Sequence, residues 1–121
     1  MKKPVVAPHE CPVLDAIEVF AGKWKVCILF ELKDGPVRFN DLRRRISKIN
    51  QKMLTQQLQQ LETDGLVLRT HYPEIPPRVE YSLTKLAKSI DPVLQSMVTW
   101  SKENMKQVER ARRLDKAKKS H

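Results

Sequence analysis

The sequence predicts a mainly α fold carrying one small β-hairpin, and three observations predict it. Two neighbouring segments within residues 39–63 repeat apolar side chains at helical spacing, two strand-like runs flank a proline-rich stretch at 73–77, and helix-patterned segments stand at both ends. The chain has 121 residues, enough for one domain whose core needs no disulfide or metal.

Composition narrows the class before any element is placed. Hydrophobic residues make up 40% and charged residues 31% of the chain, the balance of a globular domain with a heavily charged surface. No apolar run approaches the roughly 20 residues that cross a bilayer, and the N-terminus has no signal-peptide core, so a cytoplasmic protein without a membrane partner is expected. Cys11 and Cys27 form neither a disulfide framework nor a zinc-ligand spacing, which points to reduced thiols. His9, His71 and His121 are scattered, three glycines are too few for a glycine-rich phosphate loop, and no nucleophile is patterned with a base. The expectation is a protein that is not an enzyme and holds no metal and no cofactor.

Element by element, residues 1–12 contain three prolines and no period, and read as an extended arm. Val13, Leu14, Ile17, Phe20 and Ala21 follow helical spacing up to Gly22. Residues 23–33 then carry Trp24, Val26, Cys27, Ile28, Leu29, Phe30 and Leu32, so nearly apolar all round that a core helix is expected, with Cys27 an inert core thiol. Asp34-Gly35-Pro36 ends it. A short extended piece at Val37-Arg38 leads into a helix built on Phe39, Leu42 and Ile46. After the tight connection Ser47-Lys48-Ile49, Asn50 is a suitable N-cap for a helix over 51–63 with a stripe of Leu54, Leu58 and Leu61. Asp64-Gly65 stops that helix. Residues 66–72 and 78–83 read as two strands around Pro73-Glu74-Ile75-Pro76-Pro77. Thr84 caps a short helix over 85–90, and Asp91-Pro92 opens a longer one with Val93, Leu94, Met97, Val98, Trp100 and Met105 on its apolar side. Beyond about Val108 little is left to bury, so 109–121 reads as a basic tail that frays, leaving one folded domain over 13–108. Trp24, Phe30, Phe39 and Trp100 fit core or subunit contacts better than ligand stacking. The order spells a helix-turn-helix followed by a β-hairpin wing, a geometry whose second helix enters the DNA major groove while its partner spans the backbone.

Charge agrees with that reading. The formal net charge is +9, and it is concentrated: six basic residues face one acidic over 38–52, and eight face three over 102–121. Such blocks attract polyanions. Asn50, Gln51, Lys52, Thr55, Gln56 and Gln59 occupy the proposed recognition helix, with Lys52 and Gln56 about 200° from the leucine stripe at 100° per residue. Gln and Asn match the adenine edge and Lys reaches guanine. Arg43, Arg44 and Arg45, with Arg38 just ahead, suit the phosphate backbone, where contacts position rather than specify. Arg69 and Arg78 flank the hairpin tip, where they either meet DNA or pair across strands with Glu80.

Taken with their residues, these elements resemble the HxlR-type family of bacterial winged-helix transcriptional regulators. The resemblance runs from about Cys11 to Trp100 and rests on seven ordered markers. They are Cys11-Pro12-Val13, Gly22-Lys23-Trp24, Arg38-Phe39-Asn40-Asp41-Leu42, Lys52-Met53-Leu54-Thr55-Gln56-Gln57-Leu58, Leu61-Glu62-Thr63-Asp64-Gly65-Leu66-Val67, the run from Pro76 to Thr84, and Trp100. Two positions depart from the family pattern: Ala87 where a glycine often follows the Leu-Thr pair, and Asn50 where serine is usual.

The resemblance implies a winged helix-turn-helix with extra N- and C-terminal dimerisation helices, here 13–21 and 92–108. It implies a homodimer on a palindromic operator in double-stranded DNA; binding over a promoter would exclude polymerase, so a repressor is the expectation, with an activator left open. Val13, Leu14, Ile17, Phe20, Val93, Leu94, Met97, Val98 and Trp100 are then the expected dimer contacts. Several such regulators sense oxidants or electrophiles through an N-terminal cysteine, which makes Cys11 the expected sensor of a small-molecule or oxidant effector. Cys11 also lies just before a helix start, the end that favours negative charge, with Lys2, Lys3 and His9 nearby and Glu10 opposing them. The alternative that charge alone leaves open is a non-specific architectural module for nucleic acid.

Overall fold

The computed structural model describes residues 11–120. Its elements are α1 (Pro12–Phe20), α2 (Lys23–Glu31), β1 (Val37–Arg38), α3 (Phe39–Arg45), α4 (Gln51–Thr63), β2 (Val67–Tyr72), β3 (Arg78–Leu83), α5 (Lys85–Lys88) and α6 (Asp91–Lys119). Helices predominate and one small sheet accompanies them, as the sequence predicts. Most of the N-terminal arm, with Lys2, Lys3, His9 and Glu10, lies outside the described residues. The chain divides into two units, Met1–Ser89 and Ile90–His121.

The first unit is organised around α4. Leu54, Leu58 and Leu61 recur at intervals of four and three, which puts them on one face, and each is at most 1% exposed. That face packs on α2 and β2. Ile28, Leu29, Leu32, Leu42, Ile46, Ile49, Leu66 and Val67 complete the core. Both ends of α4 are closed by local chemistry. At the start, the Asn50 side-chain oxygen accepts the Met53 backbone N–H at 2.7 Å. At the end, Gly65 takes φ +75° while its N–H donates to the Glu62 carbonyl at 3.0 Å and the Leu66 N–H donates to Leu61 at 2.9 Å. Those are the paired bonds of a Schellman motif, and the left-handed φ explains the glycine. The connection between α3 and α4 uses the same region of backbone without glycine, since Lys48 has φ 71°.

The sheet is antiparallel in the order β1-β3-β2. The extended piece at Val37-Arg38 therefore joins the hairpin as a third strand, pairing Val37 with Tyr81 and Arg38 with Glu80. Its two residues carry too little alternation to announce pairing by themselves. Thr84 fastens the far end of β3: its hydroxyl donates to the Gly65 carbonyl at 2.6 Å and accepts from the Ala87 N–H at 3.2 Å.

Three expectations are corrected. First, α2 is not buried all round. Ile28 and Leu29 are its buried residues, and Cys27 is exposed rather than an inert core thiol. One layer of neighbours covers one side of the helix, and Cys27 points away from it. Second, residues 109–119 do not fray: α6 continues to Lys119, eleven residues past Val108. Helix-forming Glu, Arg, Ala, Leu and Lys sustain it without burial, aided by the Lys119–Asp115 pair at 3.1 Å and by Lys116, Lys118 and Lys119 at the negative end of the helix dipole. Third, Arg78 pairs along its own strand rather than across, as described below.

Candidate nucleic-acid interface

With its leucines inward, α4 turns Gln51, Lys52, Thr55, Gln56 and Gln59 outward. All five are exposed, and together they line a shallow hollow of about 600 Å³. Its lining residues are all polar or cationic, with their aliphatic stems forming much of the wall, and their ends offer hydrogen-bond donors and acceptors with one positive charge. Asn50 stands at the helix start with one amide oxygen committed to its cap.

The preceding helix contributes charge. Arg43, Arg44 and Arg45 are all exposed in the last turn of α3, and Arg44 pairs with Asp41 one turn back. Among the described residues no carboxylate lies within salt-bridge distance of Arg43 or Arg45, so both carry their charge outward. Arg38 is exposed at the N-cap of α3, where strand β1 ends.

The wing separates its two arginines. Arg69 is exposed on β2. Arg78 lies 3.2 Å from Glu74 and, through Nε, 3.5 Å from Glu80, and its guanidinium covers the Tyr72 ring at 4.1 Å. The Nε is buried without a hydrogen bond. Two carboxylates therefore surround this cation, and Arg78 braces the wing tip instead of projecting from it. The pairing is with Glu80 of the same strand and same face, two residues on, a geometry that the strand period of two already contains.

The model of the HxlR-like helix-turn-helix family matches residues 19–109. The chain belongs to the HxlR-like family. An HTH-type transcriptional regulator of Methanothermobacter thermautotrophicus is 50% identical over 92 residues, covering 76% of this chain and 70% of that protein. Among solved structures, the redox regulator HypR in its reduced form is 41% identical with a TM-score of 0.79, covering 82% of this chain and 98% of that one. The reduced form of the transcriptional regulator YodB from Bacillus subtilis is 35% identical with a TM-score of 0.69, covering 78% and 93%.

As an HxlR-like helix-turn-helix transcriptional regulator, the chain also presents its other expected residues. Cys11 is half-buried at the N-cap of α1, with its carbonyl accepting the Asp15 N–H at 3.0 Å. Helix α1 has no buried residue, and Val13 and Ile17 are 67% and 47% exposed. Leu14, Phe20 and Val98 are half-buried, Val93, Met97 and Trp100 are exposed, and Leu94 is buried within the single chain, which leaves it no surface to offer a partner. One residue was missed. Lys25 of α2 lines a second hollow with Gln56, Gln59, Gln60, Thr63 and Asp64, placing a cation beside the polar face of α4. Its signal was phase: Lys25 sits three and four residues before Ile28 and Leu29, on their side of α2, where the sequence reads as core.

Proposed function

We propose that this HxlR-like chain is a sequence-specific repressor that binds a palindromic operator as a homodimer, with α4 of each subunit in the major groove. The observation that carries the reading is the exposed face of Gln51, Lys52, Thr55, Gln56 and Gln59 on a helix whose opposite face is locked into the core. Groups on a rigid element can discriminate base edges, whereas a basic surface alone cannot. Arg38, Arg43, Arg45 and Arg69 neutralise phosphates around it, with Arg44 shared between Asp41 and the backbone. Arg78 acts indirectly, by stiffening the wing. The exposed apolar side chains of α1 and α6 are the surfaces for a second copy, and two-fold symmetry would set the recognition helices about 34 Å apart.

Cys11 is the sensing residue in this reading. HypR, which is 44% identical to this chain in its oxidised form, is described as a redox regulator in both states. Oxidation joins Cys11 to Cys11 of the partner subunit: two thiols lose two protons and two electrons to the oxidant, and one S–S bond forms. The cross-link alters the spacing of the two α4 helices and releases DNA.

A mobility shift on DNA from upstream of the gene, against excess competitor, tests both parts. Saturable binding with a palindromic footprint supports the regulator, and loss of the complex on diamide treatment, absent in Cys11→Ser, supports the sensor. Equal binding to competitor at physiological salt would favour the architectural module instead.

A further inference from the structure

The wing ends in an apolar side chain that nothing in the chain covers. Ile75 is 102% exposed, the most exposed large hydrophobic residue among those described, and it stands in the middle of the tip at 73–77. Leaving an isoleucine in water forgoes the stabilisation that contact would give, and here its neighbours hold it there. Pro73, Pro76 and Pro77 each fix a backbone φ. The Glu74 N–H donates to the Tyr72 carbonyl at 2.8 Å, and Arg78 links Glu74 to the Tyr72 ring. Because Glu74 and Glu80 already hold Arg78, the tip presents branched hydrocarbon on a stiff post, and no unpaired cation.

The place of the tip in the fold identifies what covers it. Strand β2 begins four residues after α4 ends and packs on that helix, so the hairpin is rooted on the element that carries the Gln51, Lys52, Thr55, Gln56 and Gln59 face. Arg69 and His71 are exposed two residues apart on one face of the shaft, where both suit phosphate. The six residues of β2 carry the tip about 17 Å from the root of the hairpin. With α4 in a major groove, the neighbouring minor groove lies half a turn of duplex away, also about 17 Å.

We propose that Ile75 is an apolar reader of the DNA minor groove, selecting A·T over G·C about five base pairs to one side of the α4 contact. This rests on the DNA-binding reading above and adds to it a second groove, a residue and a base preference. One amino group makes the difference. Both kinds of pair present acceptors on the minor-groove floor, and G·C alone adds the guanine N2 donor. That group projects into the space the branched side chain fills. Isoleucine has no acceptor to replace the water it displaces, so the donor is buried unpaired. Over A·T the same side chain meets an unobstructed floor and the C–H groups of the sugars, a surface on which apolar wedges seat.

Inosine isolates the amino group, because an I·C pair keeps the major-groove edge of G·C but has the minor-groove edge of A·T. Operator duplexes carrying A·T, G·C or I·C at each flanking position are titrated with the full chain by fluorescence anisotropy at fixed salt. At one position per half-site G·C weakens binding roughly tenfold, while I·C stays within about twofold of A·T. Ile75→Ala binds G·C and I·C there equally. Ile75→Gln, whose side-chain carbonyl accepts from the amino group, gains on G·C relative to the parent. Thermal unfolding of both variants matches the parent, since the side chain they replace touches nothing. Equal binding of G·C and I·C by the parent at every flanking position overturns the proposal, and so does a G·C penalty that survives Ile75→Ala. Duplexes of alternating I·C and alternating G·C pairs repeat the comparison without an operator. A parent that prefers its operator but distinguishes I·C from G·C in neither set overturns the apolar reader alone. A parent with no operator preference that favours the I·C duplex through Ile75 overturns the regulator reading alone.

Discussion

Asn50 divides one amide between two tasks. Its oxygen is spent on the Met53 N–H at 2.7 Å, which leaves the amino group at the mouth of the candidate interface free to donate. Asn50→Ala therefore lowers stability by about 1 kcal/mol, read from urea unfolding, and Asn50→Ser recovers most of that loss by restoring the cap. DNA binding separates the two tasks, since serine restores the cap without the amino donor. Gln56 is exposed in mid-face and makes no hydrogen bond among the described residues. In the proposed complex Gln56→Ala costs about 1–3 kcal/mol on the preferred operator and flattens discrimination at one base pair, with stability unchanged. A panel of base-substituted operators checks this, and uniform weakening on every sequence would instead make Gln56 a backbone contact. Both residues were legible in the sequence because cap chemistry and helical phase are local. Lys25 and Cys27 were not. Which side of an evenly apolar helix is covered depends on neighbours distant in sequence.

At the scale of elements, α4 is the part on which most else depends. Its Schellman ending requires φ +75° at Gly65, and the nearest atom to an added Cβ is 3.9 Å away on the Leu86 side chain. Conformation rather than space is therefore the constraint. Gly65→Ala is expected to destabilise by about 1 kcal/mol, measured by thermal unfolding, without altering the core. Leu58→Ala, by contrast, empties a site only 1% exposed and costs about 2–5 kcal/mol. The ranking of these two variants tests whether the leucine stripe or the cap dominates. The elements themselves were readable in order because periods, caps and breakers coincide along 13–108. The third strand was hidden because two residues carry no period. The length of α6 was hidden for another reason: residues 109–119 have no apolar stripe to bury and hold their helix by propensity and charge alone.

For the whole molecule the distribution of charge matters more than the total of +9. Each phosphate contact releases counterions, so Arg43→Ala, removing one contact per subunit, is expected to reduce the slope of log affinity against log salt by about 2 for the dimer. An unchanged slope would mean Arg43 meets solvent in the complex. The exposed position of Cys27 has a separate consequence, for stoichiometry. A thiol reagent titrates two equivalents per reduced chain before any oxidant is added. Complete conversion at Cys11 alone then removes half the colour, a result easily mistaken for half-oxidised protein. Any count of electrons given up by this chain begins from two thiols, and a Cys27→Ser background makes it one.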